Sequence, residues 1–369
     1  MREHLNRNSD FDYRPYSRPR KSAGFVFLAV AAAALLGIWI FPSPYVIEQP
    51  GPAYNVLGSD AGKPIISVSN AKTYETKGNL DLLTVQIAGN REQTPNWIEI
   101  FMAWMDPSRN VMLVDQVFPA NQTVEQSHAE SSAMMEQSQQ EAIAVALKKL
   151  GYQVPVELYV SEVTKNSPSA GLLKATDFVR SVNGVKVSTI EQLREHVNKF
   201  DGSAPLKVEV NRDGQAKFFS IAPVKDETGA YRIGILVGYK YEFPVKVDLQ
   251  LGDVGGPSGG MMFALGIYDE LTPGALTGGK HIAGTGTIDG DGKVGPIGGI
   301  RQKLYGALLA GAKYFLAPAQ NCNEVVGNIP AGLQVFKVST FDQALNVVTK
   351  VGQSTDGKDL AALPTCSTN

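Results

Sequence analysis

Residues 23–41 read AGFVFLAVAAAALLGIWIF, without one charged side chain. About 20 apolar residues at 1.5 Å rise each cross a hydrocarbon core of ~30 Å. A soluble helix of that length normally keeps a polar stripe, and this run has none. Before it stand Arg2, Arg7, Arg14, Arg18, Arg20 and Lys21 against Glu3, Asp10 and Asp12. The positive-inside bias therefore keeps residues 1–22 as a basic cytoplasmic tail and sends everything after Phe41 across the membrane. The competing reading is a cleaved signal peptide, with a shorter apolar region of about 7–15 residues and a small-residue cleavage site. Phe41-Pro42-Ser43-Pro44-Tyr45 offers no such site. The sequence thus predicts one uncleaved transmembrane signal-anchor over 23–41, touching the lipid bilayer. It predicts a single-pass protein of the cell membrane whose remaining chain is extracytoplasmic.

The rest of the chain has globular character, 43% hydrophobic and 19% charged over 369 residues, enough for about two domains. A net charge of -2 leaves no electrostatic footprint for nucleic acid. Two cysteines and four histidines do not provide an all-cysteine zinc site or a histidine-rich centre, so no metal and no cofactor are expected. Outside the membrane Cys322 and Cys366 could pair, and free thiols fit the sequence equally well.

Residues 45–150 mix strand-like and helical runs. Leu80–Ile87 alternates as a strand does, and 132–150 carries a helical stripe through Met135, Ala142, Val145, Ala146 and Leu150, with Gly151 as its stop. The polar stretch Gln116–Gln140 reads as a loop leading into that helix. Residues 154–223 form another unit. Val156–Val160 is an alternating strand, Asn183-Gly184 sits between apolar runs as a hairpin turn, Thr189–Phe200 reads as a helix, and Asp213-Gly214 joins two closing strands. The pattern Ser167-Pro168-Ser169-Ala170-Gly171-Leu172, Asp177, Val179 and Val182-Asn183-Gly184 resembles a bacterial PDZ domain. Thr176 stands where that family commonly has glycine. The resemblance implies binding of an extended peptide or a C-terminus along a sheet edge. From 224 to 350 the chain is glycine-dense, with a helix-start box at Ser339-Thr340-Phe341-Asp342. Residues 351–369 turn polar and read as a disordered tail.

Two segments can carry chemistry. Gly255-Gly256-Pro257-Ser258-Gly259-Gly260 leads into Met261–Leu271, an apolar run of helical length. Small neighbours let a substrate backbone approach a serine there, and unpaired N–H groups at a helix start can hold an oxyanion. A glycine-serine turn that only caps a helix reads the same way. The second segment, Gly298-Gly299-Ile300-Arg301-Gln302-Lys303, opens a helix to about Ala310. Lys303 lies about 60° from Ile300 and about 40° from Ala307, on the edge of the apolar face, with Arg301 and Gln302 pointing away. Desolvation lowers an ammonium pKa from ~10.4, which would let Lys303 deprotonate Ser258. The alternative is a lysine that snorkels to the surface.

Gly256-Pro257-Ser258 followed by small residues, with Gly-Gly-x-x-x-Lys ending at Lys303, resembles the proteolytic domain of Lon-type Ser-Lys proteases. Thr285-Gly286-Thr287-Ile288 and Ala310-Gly311-Ala312-Lys313 follow the same pattern, over about 234–350. The resemblance implies an ATP-dependent family's peptidase chemistry with Ser258 as nucleophile, Lys303 as base, Thr285 beside the lysine, and Gly256, Pro257 and Gly259 shaping the turn. It also implies homo-oligomeric rings. Gly255 stands where the family usually has an acid, three before the serine. The nearest approach to a P-loop, Gly274–His281, has His281 where a magnesium-binding hydroxyl is needed, so the chain reads as an ATP-independent relative.

Gly256-Pro257-Ser258-Gly259-Gly260 also satisfies G-x-S-x-G, but Asp269, Glu270 and His281 follow too closely for an α/β-hydrolase triad. A trypsin-like order would have to use His128 upstream. The fold expectation is α+β, a Lon-type proteolytic domain built from 45–150 and 224–350, interrupted by a PDZ-like β-rich domain and preceded by one transmembrane helix. The function expectation is a serine endopeptidase acting on unfolded or exposed exported polypeptides. The alternative is a membrane-tethered PDZ adaptor with an inactive protease domain.

Overall fold

The computed structural model describes residues 24–32, 42–119, 123–252 and 254–367. Residues 24–32 are helical, and 33–41, the second half of the expected span, lie outside the described residues together with 1–23. Among the described residues no helix is long and apolar enough to cross a membrane.

In chain order the main elements are β1 (Tyr45–Asn55), β2 (Asn79–Ala88), α1 (Trp97–Met105), β3 (Asn110–Leu113), α2 (Val124–Lys149), β4 (Val156–Val163), β5 (Phe178–Val182), α3 (Ile190–Asn198) and β6 (Leu206–Arg212). They continue with β7 (Gln215–Ile221), β8 (Ile235–Tyr241), α4 (Gly260–Glu270), β9 (His281–Gly284), α5 (Ile300–Leu309), β10 (Tyr314–Pro318), β11 (Gln334–Val338) and α6 (Phe341–Gln353). The chain divides into two units, Met1–Gln49 with Gln86–Asn121, and Pro50–Val85 with Gln122–Asn369.

In the first unit Tyr45–Glu48 pairs antiparallel with β3. Ile47, Ile100 and Ala103 form a small core of their own with Tyr45, Ala88 and Val111. Asn96 starts α1 by accepting from the amides of Ile98 and Glu99 while Glu99 accepts from the amide of Asn96. This separate core corrects the expectation that all of 45–150 joins the protease domain: only 50–85 and 122–150 share the second unit.

In the second unit β11, β10, β9 and β2 run parallel in that order. Strands covered on both faces are apolar at successive positions, sorted by parity. Leu80, Leu82, Ile282, Leu316, Phe336 and Val338 face the layer formed by α2, α4 and α6. Leu83, Ala283, Phe315, Ala317 and Val335 face the other side, where α5 contributes Ile300, Leu304 and Ala307.

The PDZ-like sheet runs β7-β6-β5-β4-β8 around Leu158, Val160, Val179, Val208 and Val210. Asn183 and Gly184 both have positive φ (51° and 79°), the requirement of a two-residue type I′ hairpin turn. Arg212 grips Asp177 through Nε and Nη2, both at 2.6 Å, and Nη2 also reaches Leu172 O. β8 pairs with β4 over its whole length. The PDZ-like sheet therefore runs to Tyr241, not 223, and the glycine-dense segment gives its first part to it. β8 lacks a hairpin to its partner in sequence, so its membership is invisible to local pattern.

Two further expectations change. The stretch Gln116–Gln140 is not one loop: α2 begins at Val124, because Thr123 caps it and Gln126 closes a capping box. Its early turns are polar because they are mostly exposed, the buried residues clustering at 142–147. The tail is not disordered through 351–367. Leu360 and Leu363 are buried in the main core, Ser354 accepts the amide of Gly357, and Cys366 is bonded to Cys322. Two apolar side chains and one disulfide hold it despite its polar composition.

Thr176 stands at φ +75°, a conformation that costs a β-branched residue about 1–2 kcal/mol and glycine almost nothing. Thr176→Gly is expected to stabilise the PDZ-like part by about 0.5–1 kcal/mol, after the greater freedom of glycine in the unfolded chain is offset. A urea melt that moves to lower midpoint in this variant would refute it.

Candidate active site

Ser258 lies in the turn before α4, with Gly256 at φ +83° and Gly259 pressed against the sheet, where an added Cβ would meet Leu82 Cδ1 at 2.3 Å. Lys303 comes from the first turn of α5, whose cap Gly299 is left-handed (φ 67°). Its side chain is 2% exposed. Nζ of Lys303 donates to Ser258 Oγ at 2.8 Å and to Thr285 Oγ1 at 3.1 Å. Thr285, itself fully buried, donates its hydroxyl to the carbonyl of Ser258 at 3.0 Å. The fold thus brings together Ser258, Lys303 and Thr285, with Gly256, Pro257 and Gly259 forming the turn. The snorkelling alternative does not hold, because the lysine turns inward. Gln302 is also buried, 2% exposed, and does not point away from the fold as the wheel suggested. A wheel locates the apolar face of one helix and says nothing of what the rest of the fold packs against its flanks.

Two contacts from α2 hold the serine turn and were missed in the sequence. The carbonyl of Ser131 accepts the amide of Gly256 at 2.9 Å, and the buried hydroxyl of Ser138 donates to the carbonyl of Pro257 at 2.9 Å. The two serines lie seven apart, two turns along one helix face, which is the only sequence signal available. On the other side of the turn the amide of Gly286 donates to the carbonyl of Ser258 at 2.8 Å. In a planar trans peptide the N–H points opposite to its C=O. Pinning the carbonyls of Pro257 and Ser258 therefore turns the amides of Ser258 and Gly259 away from Ser138, Thr285 and Gly286. Among the described residues neither amide donates to a backbone carbonyl. Gly255, at the position where an acid was considered, backs onto α2, and a Cβ there would meet Ser131 Oγ at 2.6 Å.

A cleft of about 420 Å³ opens beside the turn, lined by Met134, Glu141, Pro257, Thr287, Asp289 and Pro296 among others. Burial raises the pKa of Glu141, and the charge of Asp289 adds to that. His281, the histidine that a triad would need, is hydrogen-bonded to Asp81. Among the described residues no group of His, Cys, Asp and Glu could hold a metal ion.

Residues 243–350 match the Lon protease (S16) C-terminal proteolytic domain, and 110–222 match the PDZ domain family. The chain carries a Lon-type serine peptidase domain. Lon protease of Azospirillum brasilense is 35% identical over 125 residues, 33% of this chain and 15% of that protein. Lon protease 1 of Bacillus subtilis is 27% identical over 187 residues, 47% of this chain and 23% of that protein. The chain thus spans less than a quarter of the length of these relatives. A solved PDZ domain of an SdrC-like protein from Listeria monocytogenes is 20% identical with a TM-score of 0.21, over 22% of this chain and 85% of that one.

At the far end of α4, burial pushes Asp269 up to about 6 and Glu270 up to about 7, the charge of Asp269 adding to the second shift. A carboxyl whose folded pKa is raised holds its proton more tightly folded than unfolded. Its contribution to stability is full below about pH 4 and is lost as pH rises through 6 and 7. Glu270→Gln is expected to match the parent in thermal midpoint at pH 4 and to exceed it at pH 8. A difference that does not change between those pH values would contradict the shift.

Proposed function

We propose that the chain is a membrane-anchored serine endopeptidase that works outside the cytoplasm, without ATP, on unfolded or exposed polypeptides. The observation that carries the reading is the 2.8 Å contact between Lys303 Nζ and Ser258 Oγ in a site where that lysine is withdrawn from water. Burial disfavours the ammonium form, and a neutral amine can accept the serine proton. Ser258 Oγ attacks the scissile carbonyl carbon and its proton passes to Nζ. The amides of Ser258 and Gly259 then hold the oxyanion. Lys303 returns the proton to the departing amine as the C–N bond breaks, leaving an ester on Ser258. Water deprotonated by Lys303 hydrolyses that ester. Thr285 holds the amine in line, and Ser138 holds the Pro257 peptide so that the next amide faces the substrate.

The membrane part of the reading rests on the charge-free run 23–41 and the arginines before it. The bond between Cys322 and Cys366 is compatible with an oxidising compartment. Independence from ATP rests on the want of a P-loop sequence, since Gly274–His281 ends on a histidine engaged with Asp81. Delivery by the PDZ domain rests on β8, an edge strand open to a peptide strand. It ends at Tyr241, whose hydroxyl lies where a Cβ on Gly290 would stand, next to Asp289 at the cleft.

Ser258→Ala in the full chain is expected to lower ATP-free clipping of casein by roughly 10³-fold or more. Clipping that persists in this variant would reject the nucleophile, and clipping by neither form would favour the adaptor reading. kcat/KM is expected to rise with pH through an apparent pKa between about 7 and ~10.4, because the base works deprotonated. A profile flat from about pH 6 to 9 would assign the proton to another group. The amide of Glu242 donates to the carbonyl of Pro155 at 3.0 Å, so the two ends of the PDZ-like part meet. Deleting 156–241 is expected to raise KM for a protein substrate more than for a short peptide, and equal effects on both would count against delivery.

A further inference from the structure

Helix α1 reads WIEIFMAWM, apolar everywhere except Glu99. One side, Ile100 and Ala103, is buried in the small core of its unit. The other side carries Ile98, Phe101, Met102 and Met105, 45%, 61%, 58% and 73% exposed, with Trp104 beside them at 59%. At about 100° per residue these five form one continuous arc without a charge. Contiguous exposed apolar patches of this kind are rare on a surface that meets only water.

The neighbours of α1 identify what covers this face. Asn96, the cap of α1, bridges to Pro42, the residue directly after the charge-free run 23–41. Ser43 donates its amide and its hydroxyl to the carbonyl of Pro95, at 3.3 and 2.6 Å. Tyr45 sets its ring edge-on to Trp97 and Trp104, with centroids 5.9 and 6.4 Å away. The start of α1 is thus tied to the point where a chain leaving the bilayer emerges. Tyrosine and tryptophan gathered at that height are the composition of a membrane–water interface. A helix with a wide apolar arc lies flat there, its apolar side sunk into the headgroup and acyl boundary.

We infer that α1 lies in the non-cytoplasmic face of the lipid bilayer with Phe101, Met102 and Met105 among the acyl chains, so that a surface helix supplements the membrane-spanning anchor. The inference rests on the reading of 23–41 as that anchor. Of three tryptophans in the chain, Trp39, Trp97 and Trp104, two belong to α1. The full chain with Trp39→Phe, reconstituted in phosphatidylcholine vesicles, therefore reports on this helix alone. Its emission is expected to be roughly halved by lipids labelled with a quencher near the headgroup, and less by lipids labelled at the bilayer centre. Phe101→Gln with Met105→Gln is expected to reduce that quenching. Emission at the position of water-exposed indole, unquenched by either lipid, would overturn the inference. Blue-shifted emission that no lipid quenches would also overturn it, because the face would then be covered by a second copy or by a polypeptide segment. Failure of the protein to float with vesicles would instead reject the anchor reading itself.

Discussion

An amine held out of water beside a hydroxyl is the constraint around which the second unit is arranged. Lys303 is among the largest fully buried side chains, in the company of Phe263, Phe315 and Phe336. A buried lysine needs hydrogen-bond partners for its terminal nitrogen, since an unsatisfied one is costly. Ser258 and Thr285 serve, and each comes from a different place: the turn before α4, and the residue directly after β9. The cost of hiding the amine is therefore met only when α4, α5 and β9 are docked together. The same docking produces the geometry of the site.

The serine turn is gripped from two sides. Thr285 and Gly286, directly after β9, bind the carbonyl of Ser258, while α2 binds the amide of Gly256 and the carbonyl of Pro257. α2 precedes the PDZ-like part in sequence and α4 follows it. The candidate site is thus assembled from both sides of an insertion whose ends, Pro155 and Glu242, are hydrogen-bonded to each other. An inserted domain with neighbouring ends costs little extra loop closure, so the two halves of the host remain able to pack.

Much of the site was legible before the fold was known. The resemblance of Gly256-Pro257-Ser258 and of Gly298-Gly299 through Lys303 to the Lon-type proteolytic domain named the residues, and the helical wheel set Lys303 at the edge of an apolar face. The wheel did not show the depth of Lys303 or the burial of Gln302, because burial depends on the whole fold and the partners of Lys303, Ser258 and Thr285, come from elsewhere in the chain. Ser131 and Ser138 carried only their seven-residue spacing, since Ser131 acts through its backbone carbonyl and the Ser138 hydroxyl on a polar helix looks the same whether it faces water or a peptide carbonyl. The end of the PDZ-like sheet at Tyr241 was unreadable for a related reason: β8 pairs with β4, more than seventy positions earlier. The tail after Gly352 was misread because two leucines and a cysteine in a polar stretch weigh little in composition and much in a core.

The sequence by itself determined the local events. Asn183-Gly184 had to turn, Thr340 had to start a helix, and parity in β2, β9 and β10 divided two hydrophobic faces, because each follows from a few adjacent residues. Only the tertiary structure decided which hydroxyl meets the lysine, which helix pins the serine turn, and that α1 belongs to a small core apart from the main one. Those outcomes depend on contacts between residues far apart in the chain, where the energy of docking whole layers, not any local preference, chooses the neighbours.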